Sequence, residues 1–423
     1  NEGALGRGAS VAVSATGAVG SFSVSAVSDS GSRPTINFPD IAGSIGWISA
    51  TNGSSDVMPA VTNTGAITSV GDLAAGASAS ISATGAVASA SLSGNNVNVV
   101  GSDINYNEGW IGVDETARNY GAITNSGTTL SAGSLGDGAS ASISATGAVA
   151  SMSMSFLNSS FASQTGFSTS GLVRQEAGNS NAVTNAAGSG TSSISVGSLS
   201  GTGASASIGS TGAVSSLSFA NTASSGSNNV SVSFGGVQQR ATNGEDYYGG
   251  DSNFTASQAK IRNGGSITLG GDMTGVGSSA SVSATGAVAS VSYSTVSTSG
   301  TSNASFSMGN VEQTANNGQY GSTPPIINSG DITIGGSMAK GASASVSATG
   351  SAASFQVASL NDTTALGSIS VGSVTQSAQN YGSVSNAGSI AFNGGGAVTL
   401  GTGASASISA TGAAASVSFR AVK

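Results

Sequence analysis

The sequence predicts an all-β fold, a repetitive β-solenoid-like array of about six 65-residue units with β-hairpins. Three observations support this. One box of residues recurs seven times, and fixed-period self-similarity is typical of repeat architectures. Within the box, Ala, Val and Ile alternate with Ser, the period-2 pattern of strands. Between boxes the chain is rich in Gly, Asn and Ser, which favour turns. Tandem β-sandwiches or propeller-like units are the alternative arrangement.

The first element is the recurring box, which reads GASASISATGAVASMSMS from Gly138. Copies start at Gly8, Gly76, Gly203, Gly277, Gly341 and Gly403. Each copy has a central Thr-Gly or Ser-Thr-Gly step, and the central glycines are Gly17, Gly85, Gly147, Gly212, Gly286, Gly350 and Gly412. Six full units therefore follow the first copy.

The parity of apolar residues changes at each central glycine. In the third copy the alternating apolar residues are odd-numbered up to Ala145, and the series Ala148, Ala150, Met152 and Met154 is even-numbered. A straight strand keeps one parity, so a two-residue hairpin turn at Thr146-Gly147 is the favoured interpretation, with positive φ at the glycine. The alternative is a solenoid corner at which one strand bends into the next.

The second element is a strand, an Asn-centred turn and another strand, as in VTNTGAITSV at Val61. Because Asn tolerates turn geometry, stacked units are expected to place these residues in a column with amide ladders. The predicted asparagine column consists of Asn63, Asn125, Asn185, Asn263, Asn328 and Asn386. A third element precedes it, for example SFGGVQQRATN at Ser233 and SMGNVEQTANN at Ser307.

The domain organisation is predicted to be one N-terminal hairpin box, residues 1–27, followed by the array of six β repeats, residues 28–423. Residues 1–27 are a candidate inter-subunit element that pairs with the last unit of a neighbouring copy. Deleting them is expected to stop elongation. The chain starts at Asn1 rather than Met, which is interpreted as a secreted chain after removal of a leader.

Composition argues against several function classes. The 423 residues include no His, no Cys and only 7% charged residues, with a formal net charge of -8. No imidazole base, thiol nucleophile or ordinary zinc site is available, so an enzyme is not expected, and neither is a cofactor. The weak, dispersed charge gives no nucleic-acid footprint, and no apolar run reaches the length of a membrane span.

Two features outside the repeat carry candidate binding chemistry. Glu245, Asp246 and Asp251 form an acidic cluster in the longest insert, where a calcium loop competes with a solvated loop tip. Trp47 and Trp110 lie in inserts of the first two units. They are either glycan-stacking platforms or anchors buried under a loop or between subunits.

The boxes AVTNTGAIT, ITNSGTT, INSGDITI and VSNAGSI resemble those of bacterial β-helical adhesins, meaning autotransporter passengers and filamentous haemagglutinin-like proteins. The segment VTQSAQNYGSVSNAG is similar to repeats of functional-amyloid fibre subunits, which belong to biofilm matrices. The resemblance implies an extended β-solenoid at the cell surface that mediates adhesion.

We therefore expect an extracellular structural protein that polymerises head-to-tail into a filament or sheath, for scaffolding and adhesion. Its main partner would be itself, with cell-surface or matrix glycans as further partners. The alternative is a monomeric glycan-binding adhesin or phage fibre module. An ice-binding solenoid requires flat Thr columns and is disfavoured because Ser outnumbers Thr.

Overall fold

The computed structural model describes 16 stretches of the chain and contains no helix within them. These stretches are residues 4–27, 35–38, 47–54, 56–68, 71–95, 98–101, 104–106, 109–158, 164–185, 192–223, 229–244, 259–297, 303–318, 323–361, 368–393 and 398–422. They form 29 strands, numbered β1 to β29 along the chain. The predicted all-β repeat array is confirmed.

Each copy of the recurring box forms one long strand, and these seven strands make a parallel sheet, the long-strand sheet. Neighbours pair position for position, so that Thr146 lies level with Thr84 on one side and Thr211 on the other. We number the rungs 1 to 7 after these strands: β1 (Ser10–Val27), β6 (Ser78–Asn95), β12 (Ser140–Asn158), β16 (Ser205–Ala223), β20 (Ser279–Ser297), β24 (Ser343–Asn361) and β29 (Ser405–Val422).

The predicted hairpins are therefore wrong. Each long strand continues through its central glycine and pairs only in parallel with neighbouring rungs. None of the predicted turn glycines, Gly17, Gly85, Gly147, Gly212, Gly286, Gly350 and Gly412, has a positive φ. Ala145 and Ala148 are both fully buried, which shows that the inward side changes parity without a chain reversal. This arrangement fits the corner alternative.

Between successive long strands, the chain contributes strands to three further sheets, in which nearly all pairs are parallel. The second sheet contains β2 (Thr35–Phe38), β3 (Trp47–Asn52), β7 (Asn98–Gly101), β8 (Ile104–Tyr106), β9 (Gly109–Asn119), β13 (Gln164–Asn179), β17 (Asn229–Asn243), β21 (Asn303–Asn317), β25 (Ser368–Val371) and β26 (Val374–Asn380). One pair in it, β8 with β9, is antiparallel.

The third and fourth sheets consist of short strands. The third contains β4 (Val61–Asn63), β10 (Ile123–Asn125), β14 (Val183–Asn185), β18 (Ile261–Asn263), β22 (Ile326–Asn328) and β27 (Val384–Asn386). The fourth contains β5 (Ala66–Thr68), β11 (Thr129–Ala132), β15 (Ser193–Val196), β19 (Ser266–Leu269), β23 (Ile332–Ile334) and β28 (Ile390–Phe392). Because all four sheets run unbroken through the described rungs, separate sandwiches or propeller blades do not describe this fold.

The core follows from the bend in the long strands. The first halves, with Ile143 and Ile208, pack against the fourth sheet. The corner alanines, such as Ala145, face the third sheet. The second halves, with Met152 and Phe355, face the second sheet. Fully burying one such large apolar side chain contributes about 1.5–3 kcal/mol to the free energy of folding. Because adjacent rungs bury these side chains, the stability of each rung depends on contacts with its neighbours.

Chain turns occur at a different glycine from the one predicted. The first glycine of each box has a positive φ between 62° and 74°: Gly8, Gly76, Gly138, Gly203, Gly277, Gly341 and Gly403. At Gly138 the turn is closed by the Ala139 N–H, which donates to the Gly136 carbonyl at 3.0 Å. A glycine adopts this backbone conformation without steric cost.

The stack is short in the direction of its axis. Seven strands with six spacings of about 4.8 Å give a height of about 29 Å. A long strand of 18 residues has a contour length of up to about 60 Å, but it bends at the corner, so that its two halves lie along different sheets.

Candidate functional site

A buried ladder of asparagine amides connects six rungs along the inside of the second sheet. It consists of Asn52, Asn119, Asn179, Asn243, Asn317 and Asn380. In the first five, Nδ2 donates to the Oδ1 of the next asparagine at 2.7–2.8 Å. Each Nδ2 also donates to a main-chain carbonyl in the connection that follows, for example Asn179 to Asn181 at 2.7 Å. The ladder therefore links the rungs and holds the turn into the third sheet.

This ladder explains why the central position of each long strand is glycine. A Cβ at Gly212 would lie 2.5 Å from Asn243 Oδ1 and 2.5 Å from the Gly286 carbonyl oxygen. A Cβ at Gly17 would lie 2.6 Å from Asn52 Oδ1 and 2.6 Å from the Gly85 carbonyl oxygen. These distances leave no room for any side chain. The glycines are required for close approach between rungs, not for a turn.

The predicted asparagine column is present as a set of level positions in the third sheet, but it makes a different hydrogen-bond pattern. Asn125 Nδ2 donates to Asn185 Oδ1 at 2.8 Å. The others donate mainly to long-strand carbonyls, as Asn263 does to Ser283 at 2.8 Å. The column, Asn63, Asn125, Asn185, Asn263, Asn328 and Asn386, therefore fastens the corner of each long strand to the third sheet.

The continuous amide ladder was missed because its asparagines end the third sequence element rather than mark a turn. The signal was available: QQRATN, EQTANN and VTQSAQN all end on Asn at the same spacing after Gln. Only the register of the strands shows that these residues face inward and lie level.

A second buried ladder runs beside the first and consists of Gln175, Gln239, Gln313 and Gln376. Each Nε2 donates to the side-chain oxygen of the preceding rung at 2.7–2.9 Å. Each also donates to a serine carbonyl on the next long strand at 2.8–3.0 Å. In rung 2 the equivalent residue is Glu115.

Glu115 is fully buried, and its Oε2 accepts from Gln175 at 2.7 Å. Its Oε1 has no hydrogen-bond partner among the described residues. By equivalence with the glutamines, Oε1 takes the place of the Nε2 that donates to the serine carbonyl, here that of Ser151. Desolvation raises the pKa of Glu115 to about 8, against the opposing hydrogen bonds from the Gln175 side chain and the Ala90 main chain. A protonated acid supplies the missing donor.

The outward face of the second sheet carries a cluster of charged residues. Arg174, Glu176, Arg240 and Glu312 line a polar cleft of about 240 Å³. Glu176 lies 3.6 Å from the Arg174 guanidinium and 3.9 Å from that of Arg118. Burial raises the pKa of the neighbouring Asp114, partly offset by Arg174. The cleft is therefore lined by both positively and negatively charged side chains.

The remaining candidates are placed as follows. Glu245, Asp246 and Asp251 lie outside the described residues. Within the described part of the chain, no three acidic side chains come together as a metal site. Trp47 lies level with Asp114, whereas Trp110 pairs with Asn105, so the two tryptophans do not occupy equivalent positions. No helix that is long and apolar enough to cross a membrane occurs in the described residues.

Strand β29 presents a surface that every other rung buries. It pairs with β24, and no strand among the described residues pairs with its other edge. Ile408 is 53% exposed, whereas its level equivalents Ile143 and Ile208 are each 1% exposed. At Gly412, a Cβ would meet nothing closer than Asn380 Nδ2 at 3.8 Å. This surface is the candidate site for association.

No known protein informs the function of this site, because no family model, curated protein or solved structure matches the chain significantly.

Proposed function

We propose that this chain is an extracellular structural protein whose copies stack end to end into a filament or sheath. The observation that carries the proposal is the repetition of one rung-to-rung contact through seven long strands. Each contact uses the same elements: in-register parallel pairing, a buried asparagine ladder and a glycine that meets the next glycine carbonyl. The first rungs of a second copy can pack on β29 as each rung packs on the one before it within the chain. Such a contact, repeated without closing into a ring, gives a filament.

The chemistry of the exposed surface supports stacking. An unpaired strand edge recruits another strand, and β29 adds to this edge exposed side chains, including Ile408 and Val417 at 48–53% exposure. The amide ladders add direction, because Asn380 presents donor capacity and Asn52 an acceptor oxygen. One chain extends only about 29 Å along the stacking axis, so a filament or sheath requires many copies.

Two registers pair β29 with the next copy, because the long-strand sheet has one strand more than the third and fourth sheets in the described residues. Either β1 of the next copy pairs with β29, or β29 displaces that β1 and pairs with β6. In the first register Gly412 faces Gly17, and the asparagine ladder is interrupted because no ladder asparagine lies level with Gly412. In the second register Gly412 faces Gly85, and Asn52 of the next copy follows Asn380 in the ladder. Deleting residues 1–27 separates them: elongation stops in the first register and continues in the second.

Gly412→Ala tests the proposal in both registers. The methyl group fits within an isolated chain but would collide with a glycine carbonyl of the next copy, as at the interior positions. The variant should keep the wild-type urea midpoint and form no filaments in negative-stain microscopy or sedimentation. The control is Gly178→Ala, where a Cβ meets nothing within 4 Å. Filaments of normal length from Gly412→Ala, or a wild-type chain that never elongates, would overturn the proposal.

A glycan-binding module is the second candidate, and the charged cleft of about 240 Å³ favours it. Paired arginines and glutamates suit a ligand that carries carboxylate and amine or hydroxyl groups. Binding to an array of acidic glycans that is lost in Arg240→Ala, with filaments unchanged, would support this candidate.

A further inference from the structure

The outer side of the long-strand sheet is unusually uniform next to the corner. Along the first half of each strand, four outward columns contain 28 positions, and Ser or Thr occupies 26 of them. The exceptions are Ala12 and Gly209. We call this surface the hydroxyl facet. Its columns start at Ser10, Ala12, Ser14 and Thr16 and run through the level positions of rungs 2 to 7.

Packing inside the chain does not explain this uniformity, because side chains on the facet point away from the core. An outward column of the second sheet is not uniform, because its level positions hold five different residues, Asp114, Arg174, Gln238, Glu312 and Thr375. Inward positions also vary, for example Met152, Leu217, Val291 and Phe355 in one column. Residue identity is thus more constant along the columns of the facet than along this column of the core.

We propose that the hydroxyl facet is a lateral interface, on which the facet of a second copy packs face to face. This inference goes beyond end-to-end stacking and does not require it. Three properties point to a second copy. The facet has no charged residue, so two identical facets of a chain with net charge -8 meet without like-charge repulsion. The nearest charges, such as Arg7, Asp137 and Lys340, lie in the turns at its rim.

The second property is the spacing. Hydroxyl rows repeat every strand, about 4.8 Å, and another facet has the same repeat, so that all rows match at once. Small side chains allow two sheets to approach closely, as in the interdigitated faces of stacked β-sheets. The third property is area. Seven residues along the strand and seven strands give about 780 Å², close to the roughly 800 Å² that each partner contributes to a stable interface.

The test uses the full chain carrying Gly412→Ala, which removes end-to-end stacking, and measures its mass by sedimentation equilibrium. With the facet intact we expect a dimer, twice the 39.9 kDa of one chain. Adding Ser207→Lys and Ser281→Lys, which lie level on the facet, should give a monomer. The matched control places two lysines at Ser195 and Thr268, also level and exposed but on the fourth sheet, and should remain a dimer.

The alkylation rate of a cysteine placed on the facet by Ser207→Cys gives an independent measurement, since the chain has no other cysteine, and this rate is expected to fall as the protein concentration rises. A monomeric Gly412→Ala chain at about 100 µM would overturn the lateral interface, and so would dissociation by the control pair alone. A monomer that instead sediments with insoluble uncharged glycan would assign the facet to that ligand and also overturn the proposal. If the wild type never elongates but is a dimer, the end-to-end proposal fails and the lateral one stands.

Discussion

Replacing Glu115 with glutamine should stabilise the protein at neutral pH. Glu115 is the one acid in a ladder that is otherwise built from glutamine amides in rungs 3 to 6. Its Oε1 is buried without a partner where a glutamine Nε2 donates to a serine carbonyl. A neutral amide at this position accepts from Gln175 and supplies a donor for the serine carbonyl, whereas the ladder ends here because Ile48 lies at this level on the preceding rung. An ionised carboxylate leaves a buried charge beside a carbonyl oxygen, which is costly.

The magnitude follows from proton linkage. Burial raises the pKa of Glu115 from 4.5 to about 8 in the folded chain, so between these pH values the folded state binds one proton more than the unfolded state. The stability that the neutral Glu115 contributes is therefore fully present below pH 4.5, and it is lost as the pH rises towards 8. At pH 7 the loss is about 3 kcal/mol, at 1.36 kcal/mol per pH unit. Glu115→Gln should recover this amount at pH 7 and show no such slope.

Urea denaturation at pH 5, 7 and 9 measures the effect, with hydrogen exchange of β9 and β13 to locate it, since repeat arrays open rung by rung. The groups that act on the Glu115 carboxyl are the Gln175 side chain, the Ala90 main chain and the carboxyl of Asp114. Glu312→Gln, an exposed change on the same sheet, is the control and should leave the pH slope intact. A variant with the wild-type slope, or one that is less stable than wild type at pH 7, would refute the reasoning.

Three further substitutions test the ladders and the stacking surface. Gly212→Ala should lower the urea midpoint strongly because its methyl group collides with the asparagine ladder, whereas Gly178→Ala should be neutral or stabilising by about 0.4–1 kcal/mol; equal effects would remove the close-approach explanation. Asn179→Ala should cost about 1–3 kcal/mol or more in urea denaturation, since it leaves buried amide partners unpaired, and a neutral result would count against the ladder. Ile408→Lys should fold normally but abolish elongation, while Ile208→Lys, at a site 1% exposed, should unfold its rung; circular dichroism with sedimentation distinguishes the two, and unfolding by both would contradict the open edge of β29.

The periodicity of the sequence was sufficient to predict the β class, the repeat of about 65 residues and which segments form strands, although each box was expected to be two paired strands and is one bent strand. Alternation of Ala and Ile with Ser specifies which residues face inward, because successive side chains of a strand point to opposite faces. The box spacing gives the length of one turn. The asparagine column was also predictable, since Asn63 and its equivalents occupy the same place in every unit.

The meaning of the Thr-Gly step was decided only by tertiary structure. A change of parity at Gly147 is compatible with a reversal or with a corner, and a period-2 pattern is the same in both. Parallel stacking selects the corner, because each long strand then finds a partner of equal length on the next rung instead of within itself. The ladder that excludes a Cβ at this glycine comes from Asn179, more than 30 residues further along the chain, and its alignment with the glycine depends on how the sheets pack against one another. Local sequence carries the pattern of a strand, but contacts between distant rungs determine which glycine turns the chain and which one only makes room.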